Sequence, residues 1–282
     1  MKKKNKKILS LIFAILFLVF IGVIDYPFIA QWYNGINQTD VAREYEKESS
    51  QLSEDEKERA IQEAVNYNMS LAEEAEVSLK MPFEEDTESS GKYLGLLNYH
   101  KEGVMASIEI PRIDAYLPIY HGVKEEVLQK GVGHLEGSSL PIGGESTHAV
   151  LSAHRAIPTK RLFTDLDILE EGDVFLIRVY GEVLAYQVYE TTVVTPDQID
   201  PLKIIKGADL VTLITCTPYG VNTHRIYVHA NRIPYAEAMD LIAQTEEKGI
   251  LAKYWWLILT IVLLIWMFLM LYLFNRNSKE KK

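Results

Sequence analysis

Two apolar runs, one near each end, constrain this chain more than any other feature. Ile8–Ile24 spans 17 residues without a charge, and Ser10 is its only polar side chain. Lys2, Lys3, Lys4, Lys6 and Lys7 precede it. A basic segment before an apolar one reads as a signal peptide or an uncleaved anchor. Cleavage needs small residues at the last and third-last positions, and Phe28 occupies the third-last place before Ala30, so an anchor is expected. Tyr254–Phe274 is an unbroken apolar run of 21 residues, enough to span about 30 Å of hydrocarbon. Tyr254, Trp255 and Trp256 suit one interface, Tyr272 lies near the other, and Arg276, Lys279, Lys281 and Lys282 follow. Basic flanks favour the cytoplasmic side, so both termini are expected inside and the middle outside.

The charge distribution agrees. The net charge is −10, yet the basic tails hold 9 of the 29 Lys and Arg and a single acid, Glu280. Residues 25–253 therefore carry 20 basic and 38 acidic side chains, a net of −18. An acidic middle does not suit a nucleic-acid partner, which needs a basic face. One cysteine excludes an intramolecular disulfide framework and any multi-cysteine metal site. No His-x-x-x-His pair or glycine-rich phosphate loop is present, and neither metal nor cofactor is expected.

The middle divides by periodicity. From Thr39 to Val77 there is no Pro or Gly. Ser53 and Glu56 form a capping box, and Ile61, Val65, Met69 and Ala72 recur at helical spacing, so acidic amphipathic helices should pack on a larger body. Met81–Leu97 reads as a surface loop. Short apolar or alternating runs follow: Val104–Ile110, Ala115–Tyr120, Ala149–Ser152, Val174–Val179, Val183–Val194, Leu210–Thr215 and Arg225–Ile233. Tyr180-Gly181-Glu182 joins two of them as a hairpin. An antiparallel sandwich or small barrel is expected. The division is a tail (1–7), an anchor (8–24), a helical and lid region (25–98), a β domain (99–235), a linker helix (236–253), a transmembrane helix (254–274) and a tail (275–282).

Cys216 ends a β-rich run before Pro218 and Gly220. A free cysteine is more often a small buried hydrophobe than a nucleophile, but a strand end beside a loop can open to substrate. At an ordinary pKa near 8.5 the thiol is mostly protonated at neutral pH, and catalysis needs a base or a cation. His154 closes the apolar run from Ala149, and Arg225 opens the strand nine residues after Cys216. A guanidinium there can hold an oxyanion. Thiol, imidazole and guanidinium together make a specific set.

Thr212-Leu-Ile-Thr-Cys216 resembles the TLxTC signature of sortases, membrane-held cysteine transpeptidases of Gram-positive bacteria. Thr217-Pro-Tyr-Gly220, Asn222-Thr-His-Arg225, Leu162-Phe-Thr-Asp-Leu-Asp167 and the second apolar segment resemble class C, the pilin polymerases. The resemblance covers about residues 25–235 and is strongest over 150–233. It implies an all-β core, an eight-stranded sortase barrel with N-terminal helices, a lid loop and two transmembrane helices. It also implies that Cys216 is the nucleophile, His154 the acid–base group and Arg225 the oxyanion or substrate-orienting group, with Thr215 in the cleft. The other histidines keep structural roles. The partners implied are pilin subunits bearing an LPxTG-like signal and an acceptor lysine. A cell-wall-attaching sortase and a catalytically silent scaffold for pilins are the alternatives. A papain-type hydrolase would place its cysteine before its histidine, the reverse of the order here. Class C members often carry an Asp-Pro-aromatic lid. This chain has Met81-Pro82-Phe83, so Pro82 and Phe83 are expected in a lid that lacks an acidic tie to Arg225.

Overall fold

The computed structural model describes residues 3–73, 89–99, 103–246 and 255–280. Met81, Pro82 and Phe83 lie outside the described residues. The chain divides into two compact units, residues 1–32 with 247–282 and residues 33–246.

In the first unit the N-terminal part of helix α1 (Lys3–Ser50) packs against helix α6 (Trp255–Glu280). The paired residues run in opposite senses. Phe17 meets Trp266 at 6.4 Å, Phe28 stacks on Trp256 at 5.6 Å, and the Thr260 hydroxyl donates to the Asp25 carboxylate at 3.1 Å. The outward faces are apolar, with Leu16 63 % and Phe268 68 % exposed. Burying such surface in lipid rather than water is favourable, and both helices are long and apolar enough to cross a membrane. Helix α1 runs through Pro27 and past residue 24 without a break.

The second unit is a closed barrel in the order β1-β2-β3-β4-β7-β8-β6-β5. Its strands are β1 (Val104–Ile110), β2 (Ala115–His121), β3 (Val132–His134), β4 (Thr147–Ser152), β5 (Val174–Val179), β6 (Glu182–Val194), β7 (Asp209–Thr217) and β8 (His224–Ile233). Seven match the apolar runs closely. β3 was not expected, because three residues around a glycine carry no readable alternation. Gly133 is required there, since a Cβ would sit 2.4 Å from the Gly122 carbonyl oxygen. Tyr180 and Gly181, both at positive φ, close the β5–β6 hairpin, as a tight turn of matching twist requires. The expected antiparallel arrangement is corrected in two places, where β2–β3 and β4–β7 pair in parallel.

Ser53 and Glu56 form the expected capping box at the start of helix α2 (Glu54–Glu73), with the Ser53 N–H donating to Glu56 at 3.0 Å. The buried stripe differs from the expected one. It runs through Ala64, Asn68 and Leu71, whereas Met69 and Ala72 face solvent. A buried asparagine hides this stripe from a hydrophobicity reading. Asn68 earns its place by accepting the Leu140 N–H at 2.7 Å and donating to the Leu140 carbonyl at 3.2 Å. Within the expected loop, Gly91–Gly95 forms a short helix, α3, that buries Tyr93. Helices α4 (Glu125–Leu128) and α5 (Tyr235–Glu246) complete the unit.

The C-terminal half of α1 is bound to the barrel by polar contacts. Buried Tyr45 donates to the Met105 carbonyl at 2.7 Å and accepts the Tyr180 N–H at 3.3 Å. Glu46 accepts from Ser107 at 2.6 Å and from Tyr116.

Candidate active site

The site begins with the register of β7 on β8. Cys216 lies directly opposite Arg225, Ile214 opposite Tyr227, and Thr212 opposite His229. Alternation puts these three pairs on one face. Val211, Leu213, Ile226 and Val228 turn into the main barrel core, whereas Ile214 and Tyr227 join a second cluster with Val123, Leu128 and Val150. Cys216 therefore sits at the strand end, on the face opposite the main core.

Strand β4 flanks β7 on the other side, in parallel, with Ser152 opposite Ile214. The pairing continues past the formal strand end, where the Ala153 N–H donates to the Ile214 carbonyl at 3.2 Å. His154 is thereby brought level with Cys216. Adjacent strands are about 4.8 Å apart, so Cys216 stands between the strand that delivers His154 and the strand that delivers Arg225. All three sequence-selected groups meet at one end of the barrel.

Cys216 is 6 % exposed. Burial raises its pKa, and the Arg225 cation opposes that shift. Burial is the larger effect, so the neutral thiol dominates and forming a thiolate requires a proton acceptor. Arg225 is also largely buried and donates to the carbonyls of Asn222 and His224 at 3.0 and 3.1 Å. These contacts fold the guanidinium against the β7–β8 loop. Thr215 points away from Cys216 and is fully buried, donating its hydroxyl to the Ala153 carbonyl at 2.9 Å. It secures the strand end before His154 rather than lining an open cleft.

His154 Nε2 lies 2.9 Å from Glu125 Oε2. Beside it Arg155 pairs with Asp167 at 2.5 Å, reaches the Thr217 hydroxyl at 3.4 Å and lies over the Tyr219 ring. Arg155 thus joins the His154 loop to the residues that follow Cys216. Asp167 belongs to the Leu162–Asp167 motif, whereas neither Arg155 nor Glu125 stands out in the sequence. A distant Glu with no patterned spacing to the histidine offers no sequence signal.

The other described histidines differ. His121, His134, His148 and His229 are buried. Burial pushes His134 and His148 down to about 4 and lowers His121 and His229. His224 is exposed and hydrogen-bonds Thr223. Among the described residues no group of three or more His, Cys, Asp or Glu could hold a metal ion.

A barrel with this site matches known proteins. The Sortase domain family model matches residues 108–233, a span that contains His154, Cys216 and Arg225. Sortase A of Streptococcus agalactiae serotype III (strain NEM316) is 30 % identical over 134 residues, covering 46 % of this chain and 53 % of that protein. Sortase D of Bacillus subtilis (strain 168) is 33 % identical over 130 residues, covering 45 % and 62 %. The chain thus spans between half and two thirds of the length of these curated relatives. Solved structures match more completely. Streptococcus agalactiae sortase C1 is 47 % identical, with 67 % of this chain and 96 % of that one covered and a TM-score of 0.63. Streptococcus pneumoniae sortase C is 42 % identical, with 70 % and 97 % covered and a TM-score of 0.65. The chain belongs to the sortase family. Within it, these near-complete structural matches are sortases C, the class that the sequence resembles.

Proposed function

We propose that this protein is a membrane-anchored cysteine transpeptidase that joins pilin subunits. It cleaves an LPxTG-like sorting signal through a thioacyl enzyme and passes the acyl group to a lysine of the next subunit. The observation that carries this reading is the three-strand register that sets Cys216 between His154 and Arg225. Similar structures support the pilin assignment: one is a pilus-related sortase C of Group B Streptococcus, 41 % identical, and another is the sortase C of Streptococcus pneumoniae, described with its pilin substrate specificity.

In this mechanism His154 takes the Cys216 proton, and the thiolate attacks the Thr carbonyl of the signal. Arg225 stabilises the oxyanion that develops there. His154 returns its proton to the leaving Gly amine as the C–N bond breaks, leaving a thioester. A lysine amine then attacks, its proton passes to His154, and the isopeptide forms as the thiol is restored. No cofactor enters these steps. Residues 99–235 form the catalytic domain in this reading. The apolar parts of α1 and α6 hold it to the bilayer, and the basic flanks place both termini in the cytoplasm.

Intact-mass spectrometry of the full chain in detergent, with an LPxTG-like peptide, tests the proposal. Wild type should gain a thioester-sized adduct that a lysine-bearing acceptor discharges, and Cys216→Ala should gain none. Discharge by a peptidoglycan-type amine but not by lysine would favour a cell-wall-attaching sortase. No adduct on a thiol that iodoacetamide readily alkylates would support a silent scaffold.

A further inference from the structure

Glu125 opens the four-residue helix α4, and both oxygens of its carboxylate are engaged. Oε1 accepts from Gln129 Nε2 at 2.6 Å, and Oε2 faces His154 Nε2 at 2.9 Å. The Gln129 contact and then the His154 ring hold this carboxyl below its ordinary range. The Glu125 side chain is 65 % exposed. An exposed pair of this kind adds little to stability, so stability is a weak reason for the arrangement.

Its support is more extensive than a chance surface contact would need. Gln129 offers its carbonyl to the Lys160 ammonium, tying α4 to the loop after His154. Helix α1 braces both pieces. Gln38 donates to the Lys130 carbonyl at 3.1 Å, and Asn34 donates to the Thr159 carbonyl at 2.8 Å. Leu128 anchors α4 in the cluster that also contains Ile214 and Tyr227, next to Cys216 and Arg225 on the β7–β8 face.

We infer that Glu125 is the positioning carboxylate of His154: it accepts the Nε2–H, fixes that tautomer, and leaves Nδ1 to exchange protons with the reacting groups. This rests on the acid–base reading of His154 given above. Neutral His154 keeps its proton on Nε2. Nδ1 takes the Cys216 proton as the thiolate forms, and Nδ1–H gives it to the leaving amine. Glu125 stays ionised throughout and stabilises the intervening imidazolium, as the third member of a catalytic triad does. Among the described residues, Arg225 stands beside the thiol at this end and Arg155 is paired with Asp167.

The test uses the full chain in detergent with an LPxTG-like peptide and a lysine-bearing acceptor. Glu125→Gln keeps the shape but loses the charge. Its kcat should fall about tenfold, short of the 10²–10⁴ that general acid–base catalysis supplies, with KM unchanged. The pH profile of kcat should move to lower pH, because the protonated imidazole loses its counter-charge. Gln129→Ala, which frees the other oxygen, should change kcat in the same direction by about threefold, a partial loss of the same support. Glu126→Gln, an exposed neighbour, should match wild type in rate and pH profile. Wild-type kcat and pH profile in Glu125→Gln, with His154→Ala inactive, would overturn the inference and leave the acid–base reading intact. Wild-type kcat in His154→Ala would overturn both.

Discussion

The two ends of the β7–β8 face are built from similar residue types and behave differently. At the inner end His148 Nε2 lies 2.7 Å from Thr212 Oγ1, which lies 2.8 Å from His229 Nδ1. His148 Nδ1 faces the Lys203 carbonyl at 2.9 Å and must donate to it. The hydroxyl proton therefore goes to His148 Nε2, and His229 Nδ1 donates to Thr212. Every position is filled and the imidazoles stay neutral. At the outer end Cys216 and Arg225 lie at the strand terminus, and His154 meets a carboxylate at the rim. Ile214 and Tyr227 separate the two ends. Burial with complete hydrogen bonding holds a histidine in a structural place, whereas in the proposed mechanism the histidine at the strand end beside loops is the one that exchanges protons.

The comparison breaks most visibly at Arg225. Arg225→Ala should slow single-turnover adduct formation by about 10²–10³, the cost of losing an oxyanion donor, with little change in melting temperature because its carbonyl partners can turn to water. Early melting at a wild-type rate would make Arg225 a structural residue. The pH dependence of stability comes next. His134 and His148 sit at about 4, whereas an unfolded histidine titrates near 6.5. The unfolded chain binds their protons first, so stability is full above about 6.5 and declines as pH falls towards 4. Each histidine should cost up to about 3 kcal/mol over that window, at 1.36 kcal/mol per pKa unit. Denaturant unfolding at several pH values should give His148→Gln a shallower slope than wild type.

Thr212→Val should cost about 1–3 kcal/mol by leaving two buried imidazole nitrogens unpaired, while folded molecules acylate at the wild-type rate. Comparing the denaturation midpoint with the rate separates this effect from that of Arg225→Ala. Thr215→Val should have the smallest effect, about 1 kcal/mol for one lost hydrogen bond. A few-fold slower acylation should accompany it as the strand end before His154 loosens, and stopped-flow thioester formation would show it.

Much of the barrel was legible in residue patterns, because alternation records which face of a strand is buried. The hairpin at Tyr180-Gly181 and the capping box at Ser53 and Glu56 were readable for the same local reason. The buried stripe of α2 was not, because Asn68 is buried to satisfy a backbone group that belongs to a distant loop. β3 was too short to show a period, and Glu125 lay far from His154 in the chain. Cys216, His154 and Arg225 stood out because the three residue types perform one chemistry together, not because their spacing dictated contact.

The sequence alone determined the apolar runs that suit lipid, seven of the eight strands, the tight turns and the candidate reactive groups. Each depends on side-chain chemistry within a few residues. Only the tertiary structure decided that β4 lies parallel to β7 and that β8 returns with Arg225 opposite Cys216. It also decided that α1 and α4 bring a carboxylate to His154. Those choices rest on register, and register is settled by the shared burial of segments far apart in the chain.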